Sequence, residues 1–287
     1  MVSKVAVVTD STAMLPAAAV ESAGNVTVVP LQVVLDGEPY DEGRPETTPE
    51  AVGEALTARR KVSTSRPAPA VFEEVYAALA DDGYDEIVAI HLSAEMSGTI
   101  ESAQIAARTA PVPVTVVDTR AVGPCLGFAV MAAVDRIAAG GSAQEAADAA
   151  LARAEATRSY FYVNTLEHLR RGGRIGAAAA LLGSALAVKP LLAIDDGRVV
   201  LHERVRTATR ALARLEELAV EAAGDAPVEV VVAHLRSADR AADLCAHLGE
   251  RLAAGLDGRE VRCGELSAVL GAHAGPGMLA VVVAPAL

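Results

Sequence analysis

An alternation limits most strongly what this chain can become. Short β-branched runs at residues 5–8, 27–34, 87–90 and 114–117 are separated by alanine-rich stretches with a 3.6-residue apolar period, around 50–58, 70–80, 98–108 and 128–138. Runs apolar at successive positions suit strands buried on both faces, as in a parallel sheet covered by helices. The first half is therefore expected to be a doubly wound, mainly parallel α/β domain over residues 1–155. After Tyr160 the pattern changes. Apolar runs at 191–194 and 198–202 flank Asp195-Asp196-Gly197, the signature of a tight hairpin, so antiparallel strands enter here. Further strands are expected at 228–233, 260–263 and 278–283, and helices at 207–223 and 238–253. Residues 156–287 thus read as a smaller α+β domain, with no Gly/Ser or Pro linker before it. Residues 36–49 are polar, contain Pro and Gly, and read as a long surface loop.

Composition removes several classes of function. The net charge is −12, and there is no Trp, with three Phe and five Tyr. Such a chain opposes a phosphate backbone and offers few rings on which bases could stack, so nucleic acid is not an expected partner. Cys125, Cys245 and Cys263 have no metal-type spacing and fit a reducing cytosol; no cofactor or metal is expected. The apolar run that ends at Asp10 is too short for a secretory leader. The weakly polar stretch 175–188 falls short of the roughly 20 residues a membrane span needs and reads as an internal helix.

Several clusters carry groups that could do chemistry. Thr9-Asp10-Ser11-Thr12 ends the first strand, where open α/β sheets bind ligands, and equally suits capping of the next helix. Ser63-Thr64-Ser65 precedes a helix near Ala70, a place for an anion or for a cap. Ser97-Gly98-Thr99 opens a helix after the strand at 87–90, Gly98 admitting close approach to the backbone. In Arg170-Arg171-Gly172-Gly173-Arg174 a left-handed glycine ends a helix whose last turn is cationic, leaving Arg174 for a phosphate or an acidic partner. Arg204, Arg206 and Arg210 form a second basic group. His273-Ala274-Gly275-Pro276-Gly277 would hold an imidazole in a tight turn. No nucleotide-binding loop of the G-x-x-x-x-G-K-[ST] kind is present.

Taken in order, Thr9-Asp10-Ser11-Thr12, Thr64-Ser65, Ser97-Gly98-Thr99, Val117-Asp118, Leu166 through Arg174-Ile175, Lys189-Pro190 and His273 through Gly277 resemble the DegV family over nearly the whole chain. The resemblance implies a two-domain cytoplasmic protein that binds a long-chain fatty acid between or beside its domains. It also implies no catalytic activity of its own: the carboxylate is presented to a separate ATP-binding kinase subunit, which phosphorylates it to acyl phosphate. A transient membrane contact, without a transmembrane segment, goes with such a role. Matched by motif, Thr64 and Ser97 would hydrogen-bond the carboxylate with His273 close by, and Arg174 and Arg206 would serve the head-group end and the partner. This chain has Arg66 where the family often has Gln.

The energetics suit that role. A tail of about 15 methylenes at ~0.8 kcal/mol each gives roughly 12 kcal/mol of burial before ordering costs, so the tail supplies affinity and the hydroxyls supply orientation. Small residues over 176–188 would leave room for the tail. Two alternatives stand beside this reading: a serine hydrolase acting on acyl esters through Ser97, His273 and Asp118, and a lipid-sensing regulatory protein.

Overall fold

The computed structural model describes residues 3–181 and 189–286. The chain runs through β1 (Val5–Asp10), α1 (Ala17–Ala23), β2 (Val26–Val29), β3 (Gln32–Leu35), β4 (Glu38–Asp41), α2 (Pro49–Thr57) and β5 (Val62–Ser65). Next come α3 (Pro69–Asp81), β6 (Glu86–His91), α4 (Thr99–Ala107), β7 (Val114–Asp118), α5 (Pro124–Ala138), α6 (Ala143–Ala156), β8 (Arg158–Tyr162) and α7 (Glu167–Arg171). The last elements are β9 (Lys189–Asp195), β10 (Arg198–Val205), α8 (Ala208–Ala223), β11 (Val228–His234), α9 (Ala238–Arg251), α10 (Ala253–Leu256), β12 (Arg262–Glu265), α11 (Ala268–Ala274) and β13 (Leu279–Pro285). The fold is mixed α/β, with one parallel sheet and further sheets that include antiparallel pairs.

Two compact units result, one of residues 1–32 and 65–155, the other of residues 33–64 and 156–287. In the first, the sheet order is β2-β1-β6-β7 and every pair is parallel. Ala6, Val8, Ile87 and Ala89 bury one face against Phe72 and Tyr76 of α3 and Ala103 and Ala106 of α4, while α5 packs against β1 and β6. The strand order reverses between β1 and β6. Their carboxyl ends, Asp10 and His91, therefore flank a topological switch point, where open α/β sheets accept ligands.

The run at 27–34 is two strands rather than one. Pro30 has no N–H to give to a ladder, so β2 stops at Val29 beside β1, and β3 enters a separate sheet of order β4-β3-β5. The segment 36–49 is likewise not a loop. Asp36 and Gly37 take positive φ of 53° and 102° and turn the chain into β4, and Thr48 caps α2 by accepting from the Ala51 amide at 3.2 Å.

The second unit is built on a six-stranded sheet, β10-β9-β8-β13-β11-β12, antiparallel except for β11 with β12. The predicted hairpin is present: Asp196 and Gly197, at φ 46° and 77°, join β9 to β10. Leu215 and Leu218 of α8 and Leu244 and Leu248 of α9 close over Val228, Val230, Val281 and Val283. Residues 33–64 join this unit through α2, which packs on α11; Glu42 Oε1 accepts the Val269 amide at 2.8 Å. A division into 1–155 and 156–287 therefore misplaces this one segment, and with it the second unit holds the greater share of the chain. Of the expected 175–188 helix, Gly176–Leu181 form a short 3-10 turn, and 182–188 lie outside the described residues.

Candidate functional site

In the second unit two blocks more than a hundred residues apart in sequence make one local structure. Helix α7 packs against α11. A Cβ at Gly172 would collide with His273 Nδ1 and lie 2.7 Å from its Cε1, and a Cβ at Gly275 would lie 2.8 Å from His168 Cγ. Each helix thus offers a bare glycine to the other's imidazole. Gly173, with φ 72° and no described atom near its Cβ position, is the left-handed stop expected after Arg171. Gly172 is in ordinary helical conformation and is bare for a different reason, to admit the ring of His273.

That ring is held on its other side by Thr64 at the end of β5, whose Oγ1 lies 2.8 Å from His273 Nε2. His273 Nδ1 is buried with no hydrogen-bond partner among the described residues. Burial first, and the Arg174 charge second, push the imidazole pKa down to about 4, so the ring is neutral at physiological pH. An orphaned lone pair is tolerated better than an orphaned N–H, which favours the proton on Nε2. Nε2–H then donates to Thr64 Oγ1, and the Thr64 hydroxyl keeps its own hydrogen for something else. In that tautomer the pair is neutral and leaves one hydroxyl hydrogen to donate. Arg174 Nη1 donates to the Gly172 carbonyl at 2.5 Å, which ties this arginine to the same corner.

In the first unit the carboxyl ends of the strands are occupied by a buried network. Asp10, fully buried, accepts from Thr12 N and Oγ1 at 3.1 and 2.5 Å and from Leu92 N at 3.0 Å, and its Oδ2 lies 3.0 Å from His91 Nδ1. Asp118 accepts from the amides of Ala94 and Arg120. These two carboxylates shape the loop that carries Ser97, whose Oγ is half-buried and 2.9 Å from Thr99 Oγ1. The helix cap expected from the hydroxyls before α3 is not formed. Ser63, Thr64 and Ser65 lie within β5, and the residue before α3 is Ala68, which makes no side-chain cap. An open depression of about 730 Å³ lies at the opposite, amino end of this sheet, near Lys4, Val5, Tyr84 and Met131, and includes none of the candidate residues.

The sequence pattern of one family, described as "Uncharacterised protein, DegV family", matches residues 4–286. The chain belongs to the DegV family. Among its relatives are DegV domain-containing proteins of Streptomyces coelicolor, 53% identical over 97% of this chain and 98% of that one, and of Mycobacterium tuberculosis, 37% identical over 97% and 96%. Among solved structures it is similar to a DegV-family protein of Thermus thermophilus described by its fatty acid binding, with TM-score 0.89, 33% identity and coverage of 99% and 100%. It is also similar to DegV of Bacillus subtilis, described as a fatty acid binding protein, with TM-score 0.87, 31% identity and the same coverage.

Other expected groups fall out differently on this DegV-family fold. Arg170 and Arg171 both pair with Glu167 as exposed ion pairs of small energetic weight. Arg204, Arg206 and Arg210 are exposed where β10 leads into α8, and none forms an ion pair among the described residues. Gly176, just past Arg174, packs on the Val199 carbonyl at the start of β10, while Arg206 follows its far end, about 20 Å away along an extended strand. Arg174 and Arg206 thus lie toward opposite ends of β10. Of the residues expected for a hydrolase, His273 Nδ1 has no carboxylate partner among the described residues, and Asp118 accepts from the amides of Ala94 and Arg120. Cys245 and Cys263, unpaired by spacing, do meet: burial first, and a hydrogen bond with Cys263 second, push the Cys245 thiol up to about 12. Among the described residues no cluster of three His, Cys, Asp or Glu could hold a metal, and no helix is long and apolar enough to cross a membrane. Sequence reasoning missed His168 and the Asp10–His91 pair, because one packs against a glycine and the other is formed across neighbouring strands.

Proposed function

We propose that this protein binds a long-chain fatty acid and presents its carboxylate to a separate ATP-dependent kinase subunit in the cytoplasm, without catalytic activity of its own. One observation carries the reading: a buried imidazole, neutral at physiological pH, 2.8 Å from the Thr64 hydroxyl, in a family whose Thermus thermophilus and Bacillus subtilis members are described as binding fatty acids. A carboxylate removed from water needs donors, and neutral ones serve without confining a second charge. Thr64 is assigned as the direct donor and His273 as the group that orients it. Ser97 is assigned to the same carboxylate on the family resemblance, Arg174 to the head-group corner, and exposed Arg206 to the kinase partner.

Organic extraction of the purified protein followed by mass spectrometry, with native mass spectrometry of the intact complex, tests the first part. One long-chain fatty acid per chain is expected; a protein that is empty and refuses added palmitate refutes it. Ser97→Ala should weaken palmitate binding, and unchanged affinity removes Ser97 from the head-group site. Arg206→Ala should keep palmitate affinity while impairing acyl phosphate formation by a competent kinase subunit, and normal phosphorylation refutes that assignment.

A further inference from the structure

Arg66 is held against the turn that carries Ser97. Its guanidinium packs against Gly98: a Cβ there would collide with Nη1 and lie 2.8 Å from Cζ and 2.9 Å from Cδ. Nη1 spends its hydrogens on the Gly98 carbonyl at 3.0 Å and on Glu101 Oε2 at 2.5 Å, in the first turn of α4. The Nε and Nη2 donors make no hydrogen bond among the described residues, and the side chain is 44% exposed. A planar, permanently charged fork with three donors in hand is thus parked one residue from Ser97. Glu101 balances it. The carboxylate of Glu101 is held below its usual range by Arg66 and is itself 66% exposed, so the pair is cheap to open.

We infer that Arg66 is a specificity-determining residue that favours a phosphorylated head group over a plain carboxylate at the Ser97 turn; this deepens, and rests on, the fatty-acid reading above. Beside a singly charged carboxylate, Glu101 already supplies the guanidinium's anion, and the resting pair has little to gain by opening. A phosphoryl group brings nearly twice the charge and three acceptor oxygens matched to the guanidinium fork, so it displaces Glu101. No covalent step is involved. The consequence is a carrier that holds its product more firmly than a relative with an uncharged residue at this position.

The test uses the full chain stripped of lipid, with two probes: palmitate, and 2-oxoheptadecylphosphonate as a non-hydrolysable mimic of palmitoyl phosphate. Binding is followed by equilibrium dialysis, with far-UV circular dichroism to confirm folding. Arg66→Gln should weaken phosphonate binding at least tenfold and change palmitate binding by less than threefold, with Arg66→Lys in between, since a point charge keeps attraction but loses the fork. Glu101→Gln, which frees the guanidinium, should tighten phosphonate binding severalfold. The inference is overturned if Arg66→Gln weakens both probes alike or neither, or if the unaltered protein binds palmitate but not the phosphonate; the fatty-acid reading survives each of these. An unaltered protein that binds neither probe refutes both.

Discussion

Gly172→Ala isolates the reason a helical glycine stands opposite His273. Gly172 has φ −75° and ψ −9°, so alanine fits its backbone without strain and removes a flexibility cost of about 0.5–1 kcal/mol. The methyl, however, would collide with His273 Nδ1 and lie 2.7 Å from Cε1 and 3.3 Å from Cγ. The ring must move. Moving it gives up the 2.8 Å contact with Thr64, a net loss of about 1 kcal/mol, and overpacking adds about 1–3 kcal/mol. Gain subtracted, the expected destabilisation is about 1–3 kcal/mol, accompanied by weaker palmitate binding because Thr64 loses its orienting group. Gly173→Ala is the control. It has φ 72° but no described atom within 4 Å of its Cβ position, so it should cost about 1 kcal/mol of backbone strain and leave the His273 titration unchanged. Urea denaturation followed by circular dichroism suits a chain without Trp, and NMR titration of the imidazoles reads the ring directly. In the Gly172→Ala, His273→Ala double variant the clash should vanish and the two losses should fail to add. Additive losses, or a Gly172→Ala protein whose His273 titrates as before, would refute the argument.

Two further perturbations test the same physics elsewhere. The His273 pKa falls from the usual 6.5 to about 4, so the unfolded chain binds more protons in that interval; this contribution is complete above pH 6.5 and disappears as pH drops through 4. Its ceiling is about 3 kcal/mol. The stability gap between the unaltered protein and His273→Gln, measured by urea denaturation from pH 7.5 to 4.5, should therefore narrow on acidification, and a constant gap contradicts the assignment. Asp10→Asn places a donor where the carboxylate accepts from Thr12 and Leu92 and meets His91 in a fully buried site; a loss of about 3–5 kcal/mol is expected, and less than 1 kcal/mol would show that the network is not needed for stability.

The sequence by itself determined the elements that depend on local pattern. The apolar runs at 87–90 and 114–117 are strands β6 and β7, and Asp196-Gly197 makes the hairpin its chemistry demands, because period, propensity and turn geometry act over a few residues. The ordered motifs also carried the family. Pro30 was visible too, but its effect, sending β2 and β3 to different sheets, depends on which neighbours each strand finds. Tertiary structure alone decided that 33–64 joins the second unit, since only packing of α2 on α11 fixes where that segment buries its apolar face. It also decided why there are two glycines at 172–173. Both look like a helix stop in sequence, yet one supplies a positive φ and the other an empty space for an imidazole from a helix a hundred residues away. The neutral state of His273 has the same origin: burial and the nearby Arg174 charge lower its pKa, and both are properties of the folded chain.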